Sequence, residues 1–214
     1  MTLCLSILGM HDDLTKMCLE FINSIPAEIR FEPSSKTTYN AVLQRFFYDH
    51  DFTVGMDEDV FILNPQELWK TIDYMQRNGY AYAGMPESGV SSIRLHDPKY
   101  TNSFFTIQNM ELIRPYQDEL SKVDKMKYAT RGEMYWSIYE FLDSKGLKRL
   151  ELKGNDHPDD HITTVIKGVG GKDMLYHTWF ARLWRTHDNT EVMNNDERIY
   201  KMFLEAKLRR DTNA

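Results

Sequence analysis

Apolar and polar positions alternate along this chain in blocks that predict strands and helices in turn. Residues 2–8 are a compact, mostly apolar run closed by Gly9, which predicts a buried strand. From His11-Asp12-Asp13 onward, Leu14, Met17, Cys18, Phe21 and Ile22 recur at three-four spacing, which predicts one buried face of a helix. Residues 27–32 predict a second strand. Lys36–Tyr48 predicts a second helix, with Val42, Leu43, Phe46 and Phe47 turned inward. A third strand follows at 52–56. Asn64-Pro65 then reads as a cap with proline at the first helical position, opening a helix that buries Leu68, Trp69, Ile72 and Met75 and ends at Asn78-Gly79.

The second half is less regular. Strands are expected at 80–84 and 103–108, separated by a polar stretch from Pro86 to Asn102 long enough to be a functional loop. Glu133–Lys145 predicts a helix closed by Gly146, and Leu147–Leu152 a strand. Pro158–Lys167 reads as a short helix ended by Gly168. Met174–His177 leads into an aromatic and basic run, and Asn195–Arg210 predicts a polar closing helix. Alternating strands and helices in the first half imply an α/β fold, with a mostly parallel central sheet flanked by helices on both faces.

That pattern gives one segment special weight. In Phe-Thr-Val-Gly-Met-Asp-Glu-Asp-Val-Phe-Ile-Leu, residues 52–63, an apolar run ends in Asp57 and Asp59. Ligands of α/β proteins bind outside the carboxyl ends of strands. Two carboxylates there repel each other unless a cation lies between them. Such a pair points to a divalent metal, and the metal to a phosphate. Asp49-His50-Asp51 has the same spacing but falls at the amino end of the strand, the wrong side for a ligand crevice.

Composition narrows the field. The 214 residues include 42% hydrophobic and 27% charged positions, ordinary for a globular domain large enough to bury a core. A net charge of −6 lacks the basic excess expected of a nucleic-acid binder. Cys4 and Cys18 are the only cysteines. Both fall at apolar positions, so buried reduced thiols and a cytoplasmic setting are expected. The amino terminus is too short and lacks the basic lead for a signal or membrane span.

The order of strand, glycine, helix, strand, Tyr39-Asn40-Ala41 helix, strand and Asp-Glu-Asp-Val resembles the nucleotide-binding half of GT-A glycosyltransferases. Along nearly all 214 residues the chain is also similar to the amino-terminal glycosyltransferase domain of a multi-domain protein of chlorella viruses. The resemblance implies a single domain over 1–214, with a nucleotide-binding half to about residue 84, an acceptor and metal half to about 194, and a closing helix over about 195–210, and it allows for further domains following. It implies transfer of a hexose or deoxyhexose from a UDP-sugar donor to a glycan hydroxyl acceptor, with Mn²⁺ or Mg²⁺.

Residue by residue, the resemblance places Ile7, Leu8, Gly9, Tyr39 and Asn40 against the nucleotide. Asp57 and Glu58 fall beside it, Asp57 and Asp59 at the metal, His177 as a further metal ligand, and Arg182, with Arg185, at the pyrophosphate. Asp159 and Asp160 become the candidate base for an inverting reaction. As first-turn helix residues they would equally well complement the helix dipole. If configuration is retained instead, Glu87 and Arg94 in the 86–102 stretch gain weight. Two other readings stay open. His157 and His161, four apart, could bind zinc as in a hydrolase, although Pro158 stands where a protease motif needs glutamate. A nucleotide- or carbohydrate-binding domain without turnover would also keep this fold.

Overall fold

The computed structural model describes residues 1–9, 11–33, 38–87, 97–128, 133–179 and 195–213. Its elements in chain order are β1 (Leu3–Gly9), α1 (Asp12–Ile22), β2 (Glu28–Pro33), α2 (Thr38–Gln44), β3 (Phe52–Asp57), β4 (Val60–Ile62), α3 (Pro65–Asn78), β5 (Tyr80–Pro86) and β6 (Thr101–Asn109). Two short turns of helix, α4 (Met110–Ile113) and α5 (Gln117–Leu120), precede α6 (Trp136–Ser144), β7 (Lys148–Glu151), β8 (Gly154–His157), β9 (Asp160–Lys167), β10 (Asp173–His177) and α7 (Asn195–Asn213).

The strands form two sheets. The larger has the order β2-β1-β3-β6-β5-β7, and β6 alone runs against the other five. The smaller is antiparallel, β4-β10-β9-β8. The expected α/β architecture is present, with helices on both faces of the large sheet. On one face Leu14, Cys18 and Phe21 of α1, Leu68 and Ile72 of α3, and Ile199 and Phe203 of α7 pack on Leu5, Ile7, Val54 and Met56. On the other, Val42 and Phe46 meet Tyr82 and the α6 residues Ile138, Tyr139 and Leu142.

Local chemistry explains both ends of α3. Asn64 Oδ1 accepts the Glu67 backbone N–H at 3.0 Å, Pro65 starts α3, and Gly79 closes it at φ 68°, a conformation that disfavours a side chain. Cys4 and Cys18 are buried free thiols, and burial pushes the Cys4 pKa up to about 12. No described helix is long and apolar enough to cross a membrane.

Two expected helices differ. The one foreseen over 36–48 is shorter: α2 ends at Gln44 and tightens into a 3₁₀ turn over Arg45–Phe47, leaving Phe47 37% exposed. Its first two foreseen residues lie outside the described ones. The helix foreseen over 158–167 is a β-hairpin, β8 and β9 joined at Pro158-Asp159. Ile162-Thr163-Thr164-Val165-Ile166 is an uninterrupted β-branched run, whose stiff χ1 favours a pleated strand over a helix.

Candidate functional site

Alternation along β3 sets up the site. Phe52, Val54 and Met56 face the α1 and α3 side, so Gly55 and Asp57 face the α2 side. There the Arg45 side chain crosses Gly55 so closely that a Cβ would lie 2.3 Å from Arg45 Cδ. Arg45 is fully buried, donates through Nη1 to Ser103 O at 2.8 Å, and holds Nη2 3.9 Å from Asp57 Oδ1. Burial lowers its pKa, an effect that the Asp57 charge opposes. A guanidinium remains charged under such conditions. Arg45 therefore sets a fixed positive charge beneath the carboxyl edge.

The chain leaves β3 at Asp57, turns through Glu58-Asp59 and enters the small sheet as β4. Antiparallel pairing of β4 with β10 sets Val60 opposite His177. Asp59 O accepts the Thr178 N–H at 3.1 Å, locking that register. One ligand atom each from Asp57, Asp59 and His177 lies within 4.8 Å of the others, and His177 Nε2 is 3.3 Å from Asp59 Oδ1. Two ligands of one first-row divalent ion, each about 2.1 Å from it at roughly tetrahedral to octahedral angles, stand about 3–3.4 Å apart. The Asp59–His177 pair has that spacing, and all three residues carry donor types that could hold a small divalent cation. Burial works against the Asp59 carboxylate, yet His177 beside it holds its pKa below the ordinary value.

His177 is fixed by aromatic faces. Phe104 stacks on it at 3.9 Å with 8° between planes, and Trp179 lies 4.1 Å away. Its Nδ1 is buried without a hydrogen-bond partner among the described residues. Trp179 has φ 54°, a left-handed conformation that costs a non-glycine residue on the order of 1 kcal/mol or more.

The β1–α1 turn lies next to this edge, with Leu8 in register with Asp57. Glu58 is only 1% exposed; its Oε2 accepts the His11 N–H at 2.8 Å and the Thr15 hydroxyl at 3.0 Å. A Cβ at Gly9 would lie 2.9 Å from Thr15 Oγ1, so glycine is needed for this approach. Glu58 thus anchors the turn from within. Tyr39 is likewise inward, 3% exposed in the α2–α6 cluster with its hydroxyl on Val123 O at 3.1 Å. Asn40 is exposed and Ile7 is buried in the sheet. Arg182, Arg185 and Arg94 lie outside the described residues. Glu87 is buried at the end of β5, accepting from Tyr135 Oη at 3.2 Å.

Asp159 and Asp160 are not in a first helical turn. Asp160 opens β9, where Oδ2 accepts the Thr163 hydroxyl at 2.6 Å and Arg198 Nη1 at 2.7 Å. Partial burial opposes its charge, but these partners hold its pKa below the usual carboxylate value. That is the opposite of what a general base near neutral pH needs. Asp159 is exposed at the hairpin tip. The zinc pairing of His157 with His161 also fails. His157 is buried, with Nε2 3.0 Å from Glu205 Oε1 and Nδ1 accepting the Asp159 N–H at 3.2 Å, while His161 is exposed. The 49–51 pair, at the far edge, is occupied by Arg114 and by the Thr2 N–H.

No protein-family model and no curated protein matches the chain. Solved structures do. A protein from STIV is 12% identical, with TM-score 0.49, covering 82% of this chain and 94% of that one. The glycosyltransferase GlyE of Streptococcus pneumoniae is 10% identical, TM-score 0.47, over 70% of this chain and 45% of its own. A Drosophila β1,4-galactosyltransferase 7 solved with manganese, UDP-Gal and xylobiose is 12% identical, TM-score 0.46, over 93% and 79%. The chain spans less than half the length of GlyE.

Proposed function

We propose that this domain is a cation-dependent glycosyltransferase, moving a hexose or deoxyhexose from a UDP-sugar to a glycan hydroxyl. The convergence of Asp57, Asp59 and His177 at the carboxyl edge of the sheet carries the reading. Asp59 and His177 would hold the ion directly, and Asp57 directly or through water. When bound, the ion would neutralise charge building on the departing diphosphate. Oxygen ligands suit Mg²⁺ or Mn²⁺, and the imidazole tilts the choice to Mn²⁺.

The chain's own residues have distinct parts. Arg45 adds positive potential from below Asp57, where low dielectric strengthens it. The Leu8-Gly9 turn, braced by Glu58, offers backbone to the nucleoside. Asp160 is assigned to scaffolding, and Asp159 remains the member of that pair with a candidate base role. The test is calorimetric titration of UDP in Mn²⁺ and in chelator, followed by assay of UDP-sugars with acceptors. Affinity much weaker in chelator is expected; equal affinity in both rejects the cation reading. Donor and cation binding with no product from any acceptor would favour a non-catalytic binding domain.

A further inference from the structure

Arg198 is the residue through which α7 reaches the cation site. It stands in the first turn of α7 with its side chain 14% exposed, and its guanidinium serves three segments at once. Nη1 donates to Asp160 Oδ2 on β9 at 2.7 Å. Nη2 donates to the carbonyl oxygens of Thr178 at 2.6 Å and Trp179 at 3.0 Å, and to Asn195 Oδ1 at 2.8 Å. Thr178 and Trp179 directly follow His177.

These bonds act on a residue in an unfavourable conformation. Trp179 at φ 54° would leave the left-handed region if nothing held it. Held there, its indole lies against the His177 ring and its Nε1 donates to Thr164 Oγ1 at 2.8 Å. A metal-binding histidine is ordinarily oriented by a hydrogen bond from its second ring nitrogen. His177 Nδ1 is buried and has no such bond among the described residues, so the Phe104 and Trp179 faces orient the ring instead. Whatever fixes the Trp179 backbone thereby fixes the direction of Nε2.

We propose that Arg198 is a positioning residue for the cation site: by holding Trp179 against His177 it sets cation affinity without touching the ion. The proposal rests on the cation-site reading given above. A role in docking α7 alone would lower the melting temperature of metal-free protein and leave its response to Mn²⁺ unchanged.

The experiment measures Mn²⁺ binding by equilibrium dialysis, and melting temperature with and without Mn²⁺, for wild type, Arg198→Lys, Trp179→Gly and Asp59→Asn. Lysine keeps the charge but lacks the planar fork that serves several acceptors. Arg198→Lys is expected to weaken Mn²⁺ binding roughly tenfold or more and to shrink the Mn²⁺-induced rise in melting temperature. Trp179→Gly tolerates the left-handed backbone while removing the indole, and is expected to lose affinity similarly; it decides the matter if Arg198→Lys does not fold. Affinity within about twofold of wild type in the folded variants overturns the proposal, whatever their stability. Wild type that binds Mn²⁺ no better than Asp59→Asn overturns the cation reading and this proposal together.

Discussion

Two acidic pairs, Asp57/Asp59 and Asp159/Asp160, each sit near an arginine and a histidine, yet they are built for different ends. At the hairpin the contacts are short and complete. Asp160 meets Arg198 at 2.7 Å, Glu205 takes His157 and Arg209 at 3.0 Å, and both His157 nitrogens are used. At the sheet edge the Asp59–His177 and Asp57–Arg45 contacts are longer, 3.3 Å and 3.9 Å, and His177 Nδ1 has no hydrogen-bond partner among the described residues. Carboxylates satisfied by protein cations fasten one element to another. Asp59 and His177, at ion-ligand spacing where strands end, could together with Asp57 hold a metal ion. Spacing in sequence does not separate these cases; the surrounding partners do.

The comparison breaks most decisively at Asp59. Asp59→Ala is expected to abolish the difference in UDP affinity between Mn²⁺ and chelator and to cut turnover by about 10³-fold or more, roughly the scale of transition-state charge stabilisation. Turnover near wild type would show that the two acidic sites do not differ in this way. Next in size is Arg45→Met. Removing a buried cation takes away the donor that Ser103 O accepts at 2.8 Å and the Arg45 charge beside Asp57, a loss of about 2–3 kcal/mol, read as a lower denaturation midpoint.

Asp160→Asn tests the other side. It should lower stability by about 2 kcal/mol, because it weakens charge-assisted bonds to Arg198 and Thr163, while donor binding in Mn²⁺ stays intact. A collapse in turnover with unchanged stability would restore Asp160 as a base. The smallest effect is on pH. Asp160 and Glu205 both have native pKa values below the ordinary carboxylate range, so the stability they give is present above their unfolded values near 4 and is lost as pH falls through the native ones. Chemical denaturation of wild type at descending pH should show that loss below about pH 4, and Asp160→Asn should flatten it.

The parts legible in the sequence were those where one local signal had no competitor. Pattern and punctuation located β1, α1, β3 and α3, and Asn64-Pro65 stated the α3 start outright. The 158–167 segment carried two signals. Proline followed by two aspartates looks like a helix start, but the β-branched run after it prevailed. Tyr39 lies on the same three-four face as Val42 and Phe46, so its own periodicity marked it as core; the family resemblance pulled it outward. Arg45 was missed because a helical arginine is almost always at the surface. Its only trace was Gly55, a glycine inside a strand, which signals close approach by something else. The aromatic pair around His177 joins residues from β6 and beyond β10, a pairing that only tertiary structure creates.

The pairing of β4 with β10 has a consequence for how the molecule assembles. It brings Asp59 beside His177, residues 118 positions apart (177 − 59 = 118). Closing so long a stretch of chain is entropically expensive, and such contacts are made late and slowly. The nascent chain can build β1, α1, β2 and β3 from neighbouring segments, but it must extend past residue 177 before its acidic edge acquires the histidine. Contacts formed after the folding barrier govern the escape rate from the native state more than the rate of reaching it. An ion spanning Asp59 and His177 would then lengthen the lifetime of the folded molecule and leave its folding rate almost untouched.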